Sequence, residues 1–291
     1  MMEKNLVQPG WAQMQTEMGK IAYCAGYYYR GSYPSWNFPI KSEDRGINLV
    51  QQFSMGIGSE GVVPTDQYAE LDGDPIIQDY SPLSVGESTL TNTTGQEMDM
   101  LTPSFSYQHT YTTSTTTTKE FNVGIKNTTT VKVPVVKNST EVSTEFSFSN
   151  TGTTETSTQT TYSIPSQTIP TLPGHTYKVE YMLATGEVSG KVDFYGDATG
   201  TLPILDAEEY HTLFFENAGD ALNIAKQDPY YANQFEQAWT QKGATTISYK
   251  GGKATYIAEY GYDFYLKVTD TTTSKVRHFE VDNLDVNHTQ L

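Results

Sequence analysis

The sequence is poor in cysteine, in basic residues and in long apolar runs. Its one cysteine, Cys24, excludes an intrachain disulfide framework and a thiolate zinc site, and we expect it to be a small buried residue. Lys and Arg number 18 against 34 Asp and Glu, a formal charge of -16. This balance argues against nucleic acid as a partner and against simple electrostatic docking on anionic lipid. No run of about 20 apolar residues predicts a transmembrane helix.

Two further features are missing. The first residues, "MMEKNLVQPGW", include Lys4 but no apolar stretch typical of a secretory signal. Either the chain is not exported by that route, or it is a mature form with an added Met. The five histidines are scattered, without the spacing of a metal site or a catalytic triad. We therefore expect no metal, no cofactor and no enzymatic activity. A hydrolase with dispersed residues is the third and least favoured hypothesis for the function, after the two described below.

Hydroxyl-bearing residues supply most of the polarity of the chain, and aromatic residues are frequent. Aromatic residues make up 12% of the chain, too many for a disordered protein. Residues 104–121 and 154–174 are rich in Thr and Ser, which form strands well and cores poorly. We expect them to be long, twisted partner strands, so the fold class is mainly β.

Other segments are more varied. Residues 11–23 space apolar side chains at helical intervals, and 47–55 resemble a strand. Residues 26–39 are dense in aromatic rings and broken by Gly and Pro, which excludes a long regular element. Residues 176–196 predict two strands about a turn that contains glycine.

The C-terminal third of the sequence predicts both helices and strands. Residues 203–243 predict two helices around Asp228-Pro229, with Asp206 as a cap of the first and Gly243 ending the second. Residues 244–270 predict strands joined by a hairpin at "KGGK", Lys250 to Lys253.

An amphipathic segment lies between the two Thr-rich tracts, at residues 121–148, which we call the tongue. Its residues alternate with period two, so that every charge falls on one side. The apolar side consists of Phe121, Val123, Ile125, Val131, Val133, Val135, Val136, Val142, Phe146 and Phe148. The charged side carries Lys126, Lys132, Glu141 and Glu145.

Folding the tongue about Val135-Val136 predicts a hairpin with Ile125 opposite Phe146 and Lys126 opposite Glu145. Residues 121–135 would reach roughly 50 Å as a strand, or roughly 35–38 Å of height when tilted. That height exceeds the bilayer's hydrocarbon core of about 30 Å. Since open sheet edges are not stable in lipid, several copies must close a barrel. Apolar residues would then face lipid and charged ones a water-filled lumen.

The alternation also fits an ordinary half-buried hairpin, whose apolar face packs on a protein core. Period two does not separate the two interpretations. The context favours the pore, because Thr-rich strands that bury little flank the segment on both sides.

These residues resemble a known family. The Thr/Ser-rich flanks, the tongue with its "VKVP" tip and the downstream "YSIPSQTIPTLPGHTYKVEYML" resemble the epsilon-toxin/mosquitocidal-toxin group of aerolysin-type β-pore-forming toxins. The resemblance covers residues 85–202 well and 244–275 loosely. It implies an elongated, mainly β fold of long twisted antiparallel strands, with a smaller aromatic-rich head that contains short helices. It also implies a protein secreted or crystal-deposited by a bacterium, often activated by protease. Such a protein binds a cell-surface receptor, forms a homo-oligomer and inserts its tongue into the target membrane, with insect gut cells as an expected target.

The resemblance suggests a division of the chain. The expected parts are a receptor-binding head of short helices (1–84), a long-strand pore-forming module (85–202), a helical segment packing with the head (203–243) and returning strands with a tail (244–291). Exposed rings at Tyr28, Tyr29, Tyr33 and Trp36 are the candidates for receptor binding, to a glycan or a protein. Lys275 and Arg277 are candidate activation cleavage sites. A non-lytic carbohydrate- or protein-binding module of the same fold is the alternative function.

Overall fold

The protein is described here from a computed structural model, which covers residues 9–30, 61–137, 140–149, 151–205, 212–227 and 232–290. Strands account for 64% of the structure and helices for 14%, and the main sheet is large, curled and antiparallel. The predicted fold class, mainly β with long antiparallel strands, is confirmed.

Fifteen strands and three helices are present in the described residues. The helices are α1 (Pro9–Arg30), α2 (Ala218–Ala225) and α3 (Ala232–Ala238). The first strands are β1 (Val62–Leu71), β2 (Ile76–Asp79), β3 (Leu83–Thr91), β4 (Met98–Leu101), β5 (Phe105–Lys119), β6 (Thr128–Lys137), β7 (Thr140–Ser149) and β8 (Thr153–Ile164). The remaining strands are β9 (Thr168–Thr171), β10 (Thr176–Leu205), β11 (Thr212–Asn217), β12 (Trp239–Gln241), β13 (Thr246–Asp270), β14 (Lys275–Glu280) and β15 (Asp285–Gln290).

The main sheet is built around two very long strands. Its order is β1-β10-β13-β5-β8-β15, with β2, β3 and β11 paired to β10 and with β12 and β14 paired to β13. Strands β4 and β9 form a separate pair, and so do β6 and β7. The tongue is therefore not a member of the main sheet, although its flanking strands β5 and β8 are neighbours within it.

Strand β10 runs without a turn for 30 residues, up to roughly 100 Å. The predicted turn within 176–196 is wrong. Its glycines serve close packing instead, because a Cβ at Gly186 would lie 3.0 Å from the Tyr260 hydroxyl and a Cβ at Gly190 would strike the Tyr256 hydroxyl. Glycine in a strand interior marks close approach as often as a turn.

The hairpin predicted at Lys250 to Lys253 is also wrong, because β13 continues through it as one strand of 25 residues. The pairing with β10 shifts by one residue there, from Gly252–Phe194 to Lys250–Tyr195, so Gly251 is the extra residue of a bulge.

Several other predictions are confirmed. Residues 11–23 lie in α1, and two helices occupy the 203–243 segment on either side of residues 228–231. The Thr-rich strands β5 and β8 pair over twelve residues, from Phe105–Ile164 to Thr116–Thr153. The second helix ends at Ala238, ahead of Gly243. Asp206 and the strand predicted at 47–55 lie outside the described residues.

Two hydrophobic cores lie along the long strands. The first joins Trp11, Met14 and Met18 of α1 to the tongue and to the middle of β10 and β13. The second lies nearer the C-terminal end of β13 and includes Tyr177, Tyr181 and Leu266. Cys24 is buried in the first core, as predicted. Among the described helices, none combines the length and apolar character needed to span a bilayer.

The turn between β13 and β14 is organised by one buried carboxylate. Asp270 accepts hydrogen bonds from the Thr272 and Thr273 backbone amides, at 2.9 and 3.3 Å, and from the Thr273 hydroxyl at 2.7 Å. Its Oδ2 lies 2.8 Å from His175 Nδ1. Burial alone would raise the pKa of Asp270, but these hydrogen bonds outweigh it and hold that pKa below its usual value.

Because the pKa of Asp270 is lower in the folded state, its ionised form stabilises the fold above the unfolded pKa of about 3.9, and this contribution is lost as pH falls. We expect Asp270→Asn to lower the thermal unfolding midpoint clearly at pH 7 and by less at pH 3. Calorimetric melting at both pH values measures this. Equal shifts would contradict the ionic role of the carboxylate.

Candidate functional site

The tongue contains a hairpin whose turn lies three residues beyond the predicted one. Strand β6 pairs with β7 from Thr128–Ser149 to Lys137–Thr140. The predicted register, with Ile125 opposite Phe146 and Lys126 opposite Glu145, is wrong. Val131 lies opposite Phe146, and Lys132 lies opposite Glu145. Each pairing partner shifts by six positions, an even number, so each arm keeps one apolar and one polar row.

The later turn changes the position of Val136. It was predicted in the second arm on the apolar row, but it belongs to the first arm and pairs with Glu141. Its register position is therefore in the row of Lys132 and Glu145, which corrects the prediction. Val135 and Val142 pair with each other at positions of the apolar row. The side chains of residues 134–144 lie outside the described ones.

Among the tongue side chains that the structure describes, the apolar row is buried apart from Ile125, and the polar row is exposed. Each of the six deeply placed apolar side chains is at most 7% exposed, namely Phe121, Val123, Val131, Val133, Phe146 and Phe148. Thr130, Lys132 and Glu145 face solvent. The hairpin packs its apolar face against the protein body and exposes its charged face to solvent.

The body covers this apolar face with aromatic rings and buried alanines of the two long strands. Phe146 packs on Tyr256 with ring centroids 4.4 Å apart, and Phe148 meets Phe194 edge to face at 5.8 Å. Buried alanines of β13, Ala254 among them, belong to the same core. Small side chains at these positions make room for the large rings of the tongue.

Phe121 is held more tightly than the other rings, in a set of three glycines that we call the glycine cradle: Gly196, Gly251 and Gly252. A Cβ at Gly251 would overlap the Phe121 ring, and a Cβ at Gly196 would lie 3.1 Å from it. The two glycines of "KGGK" are thus explained by the approach of Phe121 and not by a turn.

Helix α1 and strand β1 hold the backbone beside Phe121. The first turn of α1 donates from the Trp11 amide to the Asn122 carbonyl at 3.1 Å, and a Cβ at Gly10 would overlap the Asn122 backbone. The Val123 amide donates to Oε1 of the fully buried Gln67 at 3.1 Å. Residues 121–123 are therefore clamped from two sides.

An ion pair continues this contact at the surface. Lys126 Nζ lies 2.7 Å from Asp66 Oδ1 and 3.1 Å from the Gln67 carbonyl. The hydrogen bond from Lys126 holds the pKa of the Asp66 carboxyl below its usual value. Both side chains are about half exposed, so the pair contributes little stability, on the order of 1 kcal/mol or less.

The other arm of the tongue is held by hydroxyl groups of β5. Thr115 Oγ1 donates to the Ser147 carbonyl at 2.9 Å, and Thr117 Oγ1 donates to the Ser149 carbonyl at 2.6 Å. These are side-chain bonds in place of a backbone ladder, since β7 pairs with β6 alone in the described sheets. A net contribution of about 1 kcal/mol each makes them separable without unfolding the sheet.

Ile125 behaves differently from the rest of its row. It lies in the loop between Phe121 and β6 and is 41% exposed. The first arm is therefore shorter in this structure than the predicted 121–135, and its leading residues follow the body surface.

The remaining predicted site residues stay untested. Tyr28 and Tyr29 fall in the last turn of α1, but their side chains are not among the described ones. Tyr33 and Trp36 lie wholly outside the described residues. Lys275 and Arg277 are exposed in β14, and Arg277 Nη2 donates to the Pro170 carbonyl at 3.2 Å. Within the described ranges no group of His, Cys, Asp or Glu has the arrangement of a metal site.

The sequence reasoning missed most residues that hold the tongue. Gln67, Asp66 and Gly10 carry no local signal, because their partners are distant in the chain. The glycine pair at 251–252 was visible, but the apolar strand residues on both sides were the clue that it lies inside a strand.

Comparison with solved structures supports an aerolysin-like fold. The Mpp75Aa1.1 β-pore-forming protein from Brevibacillus laterosporus is similar with a TM-score of 0.69 and 25% identity, over 96% of this chain and 98% of that one. A non-toxic crystal protein from Bacillus thuringiensis is more distantly similar, with a TM-score of 0.48 and 18% identity over 86% and 95% of the two chains. Comparison with curated sequences finds no match.

The long-strand fold and the amphipathic tongue define the class, which is that of the aerolysin-like β-pore-forming toxins. The profile of the Clostridium epsilon toxin ETX/Bacillus mosquitocidal toxin MTX2 family matches residues 46–281, so the chain belongs to that family. The resemblance inferred from the tongue and its flanks is confirmed.

The glycine cradle can be tested directly. Gly251→Ala places a methyl group inside the Phe121 ring, and the resulting overpacking should cost about 1–3 kcal/mol in the free energy of unfolding. Gly243→Ala is the matched control, since nothing lies within 4 Å of its Cβ, and it should stay within about 0.5 kcal/mol. Urea unfolding measures both, and equal values would contradict the cradle.

Proposed function

We propose that this toxin binds a cell-surface receptor, oligomerises and inserts one tongue per subunit to form a transmembrane β-barrel. The observation that carries the proposal is the docking of the tongue. An amphipathic hairpin packs Val131, Val133, Phe146 and Phe148 against the body, yet it forms a sheet of its own. A hairpin with that arrangement has an interface that it can exchange for lipid.

The energetics of release favour a membrane trigger. Six buried apolar side chains leave the protein when the tongue detaches, each worth about 1.5–3 kcal/mol, which sums to roughly 10 kcal/mol or more. In water this cost keeps the tongue docked. A bilayer offsets this free-energy cost, because the same side chains are buried again among acyl chains.

Barrel formation needs the first arm to lengthen. Residues 121–127 now follow the body surface, and in the barrel they would extend β6 so that Ile125 joins the lipid-facing row with Val131 and Val133. Lys132 and Glu145, already in water here, would face the lumen with Lys126 and Glu141. The alternation along both arms matches that of lipid-facing and lumen-facing residues in membrane barrels.

The proposed source and target follow from the family. We propose secretion or crystal deposition by a bacterium, and insect gut cells as the target, because the family description names a mosquitocidal toxin. Tyr28, Tyr29, Tyr33 and Trp36 would contact a glycan or protein receptor through their rings. Alanine at these positions should weaken binding to target cells at unchanged thermal stability; unchanged binding would refute their role.

Proteolysis at Lys275 or Arg277 would uncover a sheet edge. The residues beyond include β15, which pairs with β8 from Asp285–Ser163 to Gln290–Thr158 and forms the end of the main sheet. Losing β15 leaves the backbone of β8 open to a strand from a second subunit. This makes the tail a cover that prevents assembly before activation.

Ile125 offers the sharpest test of insertion, since its side chain is exposed in the soluble form. Ile125→Glu should leave folding and receptor binding intact but abolish dye release from target membranes. A charge on the lipid face of a membrane barrel is unfavourable, more so toward the midplane, and the cost repeats around the ring. Thr130→Glu, exposed here and on the lumen side in the barrel, should remain lytic with altered ion selectivity.

Equal activity of these two variants would contradict the assigned facing. If neither they nor the wild-type protein released dye while cell binding persisted, the alternative of a non-lytic binding module would be supported.

Cleavage can be followed separately. The double variant Lys275→Gln/Arg277→Gln should resist tryptic removal of the tail and should form far fewer SDS-resistant oligomers than the wild type. Mass spectrometry and gel electrophoresis after timed trypsin treatment give both readouts. Oligomers that form equally well with the tail attached would refute the proposed cover.

A further inference from the structure

A cavity of about 430 Å³ opens at the base of the tongue, where the main sheet has a gap. Pairing of β13 with β12 ends at Tyr249, and pairing with β5 begins at Lys253. Residues 250–252 of β13 therefore border the gap, and helix α3 closes its far side. The polar lining consists of Lys119, Lys250, Lys253, Asn233, Gln234 and Gln237.

Three lysines meet here in a chain with a net charge of -16. Lys119 lies directly opposite Lys253 in the β5–β13 register, and like charges at such positions repel. Two bulges produce this arrangement. One shifts the register beside Lys253, and the other, at Gly251, brings Lys250 and Lys253 to the same face of β13. Bulges commonly re-aim side chains at functional sites.

The acids nearby neutralise only part of this charge. The buried carboxylate of Asp193 binds Lys250 closely and lies 3.8 Å from Lys253 Nζ. Asp72 also lies 3.8 Å from Lys253 Nζ, and both of those side chains are partly exposed. Among the described residues, Lys119 makes no ion pair within 4 Å. The charge of Lys119 and much of that of Lys253 is thus available to a ligand.

Amide side chains complete the lining. Gln234 donates to Glu17 Oε2 at 3.1 Å and is engaged with α1, whereas Asn233 and Gln237 border the cavity from the same helix. Amides of this kind bind hydroxyl groups as donor and acceptor. The volume falls in the range of small-molecule sites and holds a group the size of a hexose.

We propose that this cavity binds a phosphate or sulfate monoester of a sugar-sized polar group. The oxyanion lies between Lys119 and Lys253, where it removes their mutual repulsion, and hydroxyl groups of the remainder contact Asn233 and Gln237. A neutral sugar would leave the lysine pair uncompensated.

Titration calorimetry at constant ionic strength tests the site with glucose 6-phosphate, glucose 6-sulfate and glucose as probes. One or both esters should bind and glucose should not. Lys119→Gln and Lys253→Gln should each weaken ester binding about tenfold, as expected for the loss of one charged hydrogen bond. Lys267→Gln, a lysine of the same strand paired with Glu180 at 3.1 Å, is the control and should bind as the wild type does.

The source of the ester is distinguished by vesicles that contain phosphatidylinositol 4-phosphate. Cosedimentation that Lys119→Gln abolishes identifies a lipid headgroup, and ester binding without cosedimentation identifies a glycan or free ester. Absence of ester binding, or equal binding by all variants, would overturn the proposal. None of these measurements depends on lysis, so their failure leaves the pore proposal unaffected.

Stability without ligand gives a second reading. Lys119→Gln relieves the repulsion across the strands, so its thermal unfolding midpoint should not fall below that of the wild type in a buffer free of phosphate and sulfate. A clear fall in the midpoint would show that Lys119 stabilises the folded protein without a ligand. That result would contradict a site in which two lysines repel each other until an anion binds.

Discussion

The apolar row of the tongue must be covered at all times, and this constraint organises the first core of the protein. Strands β10 and β13 cover the aromatic rings of this row, with glycines against Phe121 and with the rings of Tyr256 and Phe194 against Phe146 and Phe148. The packing is close enough that a methyl group at Gly251 has no room. A surface so specific for one segment is a docking site, which lipid would replace in the proposed pore.

The polar contacts around the tongue are of a different kind. Side-chain hydroxyls of Thr115 and Thr117 hold one arm, while a surface ion pair and a few backbone bonds hold the root. None of these joins the tongue to the main sheet by a strand ladder. The hairpin is therefore fixed mainly by apolar burial, which a membrane can supply, and only weakly by hydrogen bonds, which it cannot. That division explains why Thr-rich strands flank the tongue.

How much of this could be predicted from the sequence depends on the range of the interactions. Period-two alternation is local, and it correctly separated buried from exposed residues such as Val131 and Lys132. The register was missed because residues 121–127 were assigned to the first arm by alternation alone. They are held by Gln67 and α1, contacts far away in the chain. The glycines of β10 and β13 were read as turns for the same reason, since their Tyr and Phe partners are remote.

A reversible cross-link tests the central claim that the tongue must leave the body. A Thr115→Cys/Ser147→Cys variant places cysteines at two adjoining positions, since the Thr115 hydroxyl donates to the Ser147 backbone carbonyl at 2.9 Å, and it is oxidised to a disulfide while the buried Cys24 stays reduced. The account predicts no dye release from target membranes in the oxidised state and full release after reduction, with single-cysteine variants lytic throughout. Equal release by the oxidised protein would contradict it.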